Sequence, residues 1–598
     1  MYKTVKKLFT LLTLGQRKHF YMLQVLVVIM TFMEIVGVAS IIPFMSLVGD
    51  MSQLQQDTII AQVYQASGII SELQFVFLLG VGALFVLFIS AIFSIFTSWK
   101  LSMFATKVGT EISDRLYIYY LKQDWLFHAS GSSAQLTKKI AIESQRVTNG
   151  IIMPLMRMNA RIALTLFMSF TIFIYDPKVA TIGFSFFAIA YLVFFKAVRL
   201  RLKHNGETIS EVNEQRFRLM NEGFGGIKEV LLLGRDHDLI KRFNQAGRSL
   251  ACSQGTNHAL AQVPRYFMEF IAFGSMIALV LYLIVSHDSN LSIILPIISV
   301  YALVTFKLLP AFQQIYANIA TIKGNNAAFE SIQQDLINST KAKLETLKSE
   351  KNHIHLKQQI SLKDVTFTYP GKAEPALNQL NISILANSVI GIVGPSGSGK
   401  STLIDIILGL IEPHHGQLKI DGTTINDHNR RPWQNSIGFV AQSIFLSEGT
   451  IAENVAFGIE KDQIDPEKAQ QALKIAHLTE LLQSLEQGIH TRIGERGVQL
   501  SGGQRQRIGI ARALYHEAEV LIFDEATSSL DGISEKIIME AIHDFGGQKT
   551  IIMIAHRLKT VQKCDQIFFI DRGQVADQGT YQELIETNKQ FQEMAVHA

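Results

Sequence analysis

Two hydrophobic patterns divide the chain. Up to about residue 330 the apolar residues come in long blocks, at 21–48, 75–98, 151–175, 178–200, 263–286 and 293–318. A membrane-crossing helix needs about 20 mostly apolar residues, and each block supplies that length. After about residue 358 the apolar runs shorten and alternate with helical spacing and glycine turns, the pattern of an α/β domain. Between them lies the polar stretch "NSTKAKLETLKSEKNHIHLKQQ". The pattern predicts an α-helical six-span membrane domain over 1–335, a linker over 336–358 and an α/β domain over 359–598.

Charge placement orients the spans. The segments 99–140 and 201–255 are rich in Lys and Arg, whereas 49–73 holds Asp50, Asp57 and Glu72 with no basic residue. Basic loops stay in the cytosol. The N-terminus and the second domain are therefore expected there, with the two basic segments forming helical extensions of the spans. The cluster Lys3, Lys6, Lys7, Arg17 and Lys18 precedes an apolar run too long for a signal peptide. In the outer segment 57–70, Ile59, Ile60, Val63 and Tyr64 have helical spacing, which suits a short interfacial helix or an amphipathic loop.

Composition narrows the class. Of 598 residues, 48% are hydrophobic and 18% charged, below the roughly 25% charged share of soluble domains. The net charge of +4 is small, and six spans exclude a soluble enzyme acting on nucleic acid. Cys252 and Cys564 are far apart and form neither a disulfide framework nor a metal site; they read as reduced, cytosolic thiols.

The chemistry lies in the second domain. "IGIVGPSGSGKSTLIDIILGL" (390–410) reads as a buried strand, a glycine loop and a helix. Gly394, Pro395, Ser396, Gly397, Ser398 and Gly399 form a loop whose N–H groups can close on phosphates. Lys400 reaches the outer phosphates, Ser401 can hold Mg²⁺, and Thr402 follows in the helix. "AEVLIFDEATSSLD" (518–531) is a second strand ending in Asp524, a Mg²⁺ ligand, and Glu525, which would polarise the attacking water. "QLSGGQRQRIGIARAL" (499–514) opens a helix with Ser501, Gly502, Gly503 and Gln504, a second anion-binding end. One phosphate cradle serves one nucleotide, so a second makes sense if it closes on a nucleotide held by another chain.

"LSGGQ", "GPSGSGKST" and "LIFDEA" together resemble the nucleotide-binding domain of ABC transporters. That resemblance implies ATP and Mg²⁺ as cofactors. It makes Gln442 a Mg²⁺-sensing glutamine, His556 the γ-phosphate switch and Tyr369 the adenine-stacking ring. Where the family usually has proline before the glutamine, Ala441 stands here. "SSLD", ending at Asp531, resembles the D-loop and "GERG" (494–497) the exporter X-loop. Six spans before one such domain resemble an ABC exporter half-transporter, with "WLFHASGSSAQL" (125–136) and "NEGFGGIKEV" (221–230) at its coupling helices. The resemblance implies a homodimer with two active sites, exporting through a bacterial cytoplasmic membrane by ATP hydrolysis.

Cargo is read from the spans. A lysine at a span centre costs roughly 2.5–3.5 kcal/mol. Lys307 in "FKLLPAF" lies about 20 Å along the sixth span, and Arg265 opens the fifth on the cytosolic side. The pair suits an anionic lipid head group. Snorkelling, or a pair with Glu34 or Glu269, is the other reading of Lys307. "FMEIVGVASIIPFMSLVGD", "PRYFME" and "KLLPAF" are similar to the bacterial lipid-linked oligosaccharide flippase of N-glycosylation, which implies a polyprenyl-pyrophosphate-linked oligosaccharide. An exporter of another lipid, a drug or a peptide is the alternative, and an ATP-gated channel a more distant one.

Overall fold

The computed structural model describes residues 2–49, 51–55, 58–175, 177–286, 291–341, 352–494, 497, 499–525, 535, 539, 547–555 and 557–596. It divides into two compact units. One is Met1–Gln123 with Phe127–Leu344; the other is Asp124–Leu126 with Glu345–Ala598.

Long helices build the first unit. They are α1 (Leu14–Ala39, continued by Ile41–Gly49), α2 (Glu72–Leu121), α3 (Met153–Tyr175), α4 (Pro177–Gly225), α5 (Asp236–Ser286), α6 (Leu291–Gly324) and α7 (Asn326–Lys341). Each of α1–α6 contains one of the six apolar windows. Among the described residues, the helical stretches Leu14–Gly49, Glu72–Leu121 and Ser133–Phe170 are long and apolar enough to cross a membrane. The last three windows fall in α4–α6, where some side chains lie outside the described residues. Rows of exposed apolar side chains on α2, such as Leu84, Phe88, Ile92 and Ile95, suit a lipid-facing surface.

Local chemistry sets the helix ends. Thr13 starts α1 with a capping box, its hydroxyl accepting from Gln16 N while the Gln16 side chain accepts from Thr13 N. Helix α2 continues far beyond its apolar window, as the basic amphipathic segment predicts. Helix α7 takes in Asn338–Lys341, the first residues of the polar stretch.

The outer segment forms a helix, Ile59–Ser67, capped by Thr58 and ended by a left-handed Gly68. Its four apolar residues do not share one destination. Ile60 and Tyr64 pack on Leu47, Leu54 and Phe75, whereas Ile59 and Val63 are exposed. Residues four apart stack on a helix and residues one apart do not, so two adjacent apolar stripes form.

The second unit is a nucleotide-fold α/β domain. Strands β1 (Gln359–Phe367), β2 (Leu377–Leu385), β4 (His415–Ile420) and β5 (Thr423–Thr424) make an antiparallel sheet in the order β2-β1-β4-β5. A second sheet runs β12-β11-β3-β10-β9-β6. Its strands are β3 (Val389–Val393), β6 (Ile437–Val440), β9 (Val520–Asp524), β10 (Thr550–Ile554), β11 (Gln566–Asp571) and β12 (Gln574–Gly579). All its pairings are parallel except β11 with β12. The short pair β7 (Gly449–Thr450) and β8 (Arg492–Ile493) stands apart.

The inner strands are buried on both faces, as parallel sheets require. Ile551 and Met553 of β10 enter one core, and Ile552 and Ile554 the other. Ile554 is in register with Ile392 on one side and Asp524 on the other. The carboxyl ends of β3, β10 and β9 are thereby level, where ligands of open α/β sheets bind.

Candidate functional site: the nucleotide pocket

From β3 the chain turns through Gly394–Gly399 into α8 (Lys400–Ile407). Gly394 has φ of 153°, and a Cβ there would lie 2.0 Å from the carbonyl oxygen of Ile570. Only glycine fits, because the loop passes directly over the end of β11. Lys400 is buried, and its Nζ donates to the carbonyl oxygens of Gly394 and Pro395, at 2.8 Å each. Burial pulls the Lys400 ammonium below the ordinary lysine range, while the charges of Glu525 and Asp524 act against it. Ser398 Oγ is buried with no hydrogen-bond partner among the described residues. Ser401 is exposed at the helix start and Thr402 is buried.

A hydroxyl without a partner among the described residues, a buried ammonium and the N–H groups of a glycine loop around one helix start match the donor set a polyphosphate needs. Half-buried Tyr369 lies close by, its hydroxyl 3.2 Å from Thr402 Oγ1 and its ring edge-on to Phe367. The loop fits the phosphates of ATP.

The acid pair follows β9. Glu525 has φ of 50°, a left-handed conformation costing on the order of 1–2 kcal/mol for a residue with a Cβ. Its N–H donates to the Ile554 carbonyl at 3.2 Å, which ties the turn to β10. Gln442, beyond the end of β6, donates through Nε2 to Glu525 Oε2 at 2.6 Å. The fold thus gathers Lys400, Gln442 and the adjacent Asp524 and Glu525 from three places in the chain. Ser401, Asp524 and Gln442 offer oxygens of the hard type Mg²⁺ takes. His556 and Asp531 lie outside the described residues, as does part of 494–497.

"LSGGQ" opens α9 (Gly502–Tyr515). Ser501 Oγ accepts from Gln504 N at 3.2 Å, and Ser501 N donates to Gln504 Oε1 at 2.8 Å, a reciprocal capping box. Ser501 is exposed, and among the described residues no hydrogen bond joins Ser501–Gln504 to the phosphate loop.

In the membrane domain Lys307 is half-buried on α6, with no ion pair or hydrogen bond among the described residues. Its two expected acids have other partners. Arg265 Nε donates to Glu269 Oε1 at 2.8 Å, one turn along the same helix. Glu34 Oε1 accepts from Ser94 Oγ at 3.1 Å, and its other oxygen is 4.0 Å from Arg161 Nη1. Arg161 Nε donates to Gln314 Oε1 at 2.7 Å, so polar groups of α1, α2, α3 and α6 meet within the helical domain. Sequence reasoning missed Arg161. Its signal was present, an arginine inside the third apolar window, the same anomaly as Lys307 in the sixth.

Six long helices joined in one chain to a P-loop domain with an LSGGQ helix define an ABC half-transporter. The comparisons agree: the ABC transporter profile matches residues 377–528, and the ABC transporter transmembrane region profile matches 39–309. The chain belongs to the ABC transporter family.

It is 30% identical over 509 residues to an ATP-dependent lipid A-core flippase of Pasteurella multocida, covering 83% of this chain and 84% of that one. It is 43% identical over 225 residues to the protein of the same name from Cupriavidus pinatubonensis, covering 38% of each chain. With the heterocyst differentiation ATP-binding protein HepA of Nostoc it shares 29% over 468 residues, 77% of this chain and 74% of that one. The chain spans about two-fifths of the length of several of the curated relatives it matches. A solved structure described as a bacterial Atm1-family ABC exporter with ATP bound superposes with a TM-score of 0.78 at 21% identity, over 97% of this chain and 98% of that one, which establishes the fold.

Proposed function

We propose that the protein is an ATP-driven exporter, working as a homodimer in a bacterial cytoplasmic membrane, that moves an amphipathic anionic lipid from the inner to the outer leaflet. The observation that carries this reading is the convergence of Lys400, Asp524, Glu525 and Gln442 in a chain that also holds apolar spans. Lys400 and the loop N–H groups bind the phosphates. Tyr369 stacks on the base. Ser401, Asp524 and Gln442 hold Mg²⁺, and Glu525 orients and polarises the attacking water. His556 supports the outer phosphate. Bound ATP supplies the phosphoanhydride whose cleavage drives the cycle. The exposed start of α9 completes the site of a second copy, because each chain has one phosphate loop and one LSGGQ.

The cargo proposed is a polyprenyl-pyrophosphate-linked oligosaccharide, held by Lys307 and Arg265. Lys307 supports this, as a half-buried cation with no acidic partner among the described residues. Arg265 supports it less directly, since Glu269 already balances its charge. Lipid A-core is the second reading, favoured by the names of several relatives.

Both readings are separated by reconstituting the protein in liposomes with a fluorescent polyprenyl-pyrophosphate saccharide or a fluorescent lipid A-core. Lys307→Ala should slow movement of the accepted probe by about tenfold, the equivalent of roughly 1.4 kcal/mol, while basal ATPase stays near normal. If neither probe moves while ATP is hydrolysed, the lipid reading is wrong. If hydrolysis survives Lys400→Ala undiminished, the exporter reading is wrong as well.

A further inference from the structure

Before α3 the chain departs from regular helix. Ser133–Lys138 is α-helical, Lys139–Glu143 is π-helical, Ser144–Val147 is α-helical, and Thr148–Ile152 is π-helical again. An α-helix sets residues five apart about 140° from each other. The i→i+5 repeat of a π-helix stacks them instead, which lines up Lys138 with Glu143.

Both are buried, Glu143 at 0% exposure and Lys138 at 4%. Lys138 Nζ lies 2.7 Å from Glu214 Oε2 on α4 and 4.0 Å from Glu143 Oε1. Arg146 Nη1 donates to Glu143 Oε2 at 2.9 Å and to Ser210 Oγ on α4 at 2.6 Å. Its Nη2 donates to the Gly206 carbonyl at 3.3 Å, and its Nε to Asn325 Oδ1 at 3.3 Å. Asn325 is the one residue between α6 and α7. At the same crossing α4 meets the end of α6 backbone to backbone, since a Cβ on Gly206 would lie 2.4 Å from the Gly324 carbonyl oxygen. One guanidinium therefore joins its own irregular segment, α4 and the α6–α7 break.

Stability alone does not account for this cluster. Buried ions cost several kcal/mol each to desolvate, and well-packed apolar residues of equal volume are often as stable or more so. What fixed charges add is a single geometry among alternatives. The break they fix lies directly before α7, the last helix of the first unit before the chain continues to β1. π-bulges inside α-helices, moreover, concentrate at functional positions.

We propose that Arg146, oriented by Glu143 and Lys138, is a positioning residue for transport: it clamps the α6–α7 break to α4, so that these helix ends move as one lever during the ATP cycle. The inference rests on the exporter reading and not on the identity of the cargo. The test uses the full-length protein in lipid discs and in liposomes, carrying Glu143→Met with Arg146→Met. This pair keeps volume and orphans no charge, because Lys138 retains Glu214.

The double variant should fold, melt no lower than the unaltered protein and hydrolyse ATP within about twofold of it. Amide exchange at 318–329 should quicken about tenfold. Probe lipid moved per ATP hydrolysed should fall at least about fivefold. Arg146→Lys, which keeps the charge but not the forked reach, should lose part of that coupling. Normal transport per ATP in the double variant would overturn the proposal, and so would its failure to fold, which would make the cluster a structural one. Should the unaltered protein move neither probe, the cargo reading fails, and exchange under ATP with vanadate decides this one. In the unaltered protein 205–212 and 318–329 should then change together, and in the double variant separately; joint change in both proteins overturns the clamp.

Discussion

Glu525 combines a strained backbone with the proposed role of polarising the attacking water. Its left-handed turn and its bond from Gln442 hold the carboxylate in one place, so the side chain's chemistry, not its placement, is what a conservative change removes. Glu525→Gln should lower steady-state ATP hydrolysis by about a hundredfold or more while nucleotide affinity changes little. Phosphate release and a fluorescent-ATP titration measure the two, and unimpaired turnover would strip Glu525 of its role. The cysteines offer a check on the fold. Cys252 is exposed, whereas burial pushes the Cys564 thiol up to about 12. Alkylation needs the thiolate. Native protein at mildly alkaline pH should be modified at Cys252 and not at Cys564 until it is denatured, with mass spectrometry of the peptides as the readout. At this scale Lys400 and Asp524 were read from motifs with their own spacing and Gln442 from the family resemblance, and the structure brings Gln442 against Glu525. The Glu34–Arg161–Gln314 contacts were not legible, since they depend on side chains meeting across helices far apart in sequence.

Among the elements, the apolar windows located α1–α6 because lipid demands length and hydrophobicity and little else. The same pattern could not show the π turns at 139–143 and 148–152. A single inserted residue leaves no periodic signal in a short stretch of mixed polar and apolar residues. Nor could it divide Ile59 and Val63 from Ile60 and Tyr64, as all four are apolar. The crossing itself is testable. Gly206→Ala places a methyl against the Gly324 carbonyl, where backbone must give way. It should destabilise the membrane domain by about 1–3 kcal/mol, seen as a lower melting temperature in detergent. Gly247→Ala, at a helix glycine with nothing within 4 Å of the added carbon, should hold the melting temperature or raise it slightly. Equal melting of the two variants would mean that α4 and α6 are not in backbone contact.

For the whole molecule, a helical part followed by an α/β part was legible from the change in hydrophobic rhythm between about residues 330 and 358. Assembly is a prediction that belongs here. Lys400→Ala and Ser501→Ala chains, mixed and reassembled, should form hybrids in which one site collects both defects and the other has neither. Such hybrids should regain part of the ATP hydrolysis that either parent lacks. No recovery from a mixture shown by mass to contain hybrids would argue against sites shared between chains. The strand order carries a last consequence, for biosynthesis. β10 lies between β3, which bears the phosphate loop, and β9, which bears the acid pair, yet it is translated after both. A nascent chain that has reached Glu525 holds both halves of the site with a gap where their common neighbour belongs. The sheet can set the phosphate loop and the acid pair at their final spacing only once β10 has been translated and has paired with β3 and β9.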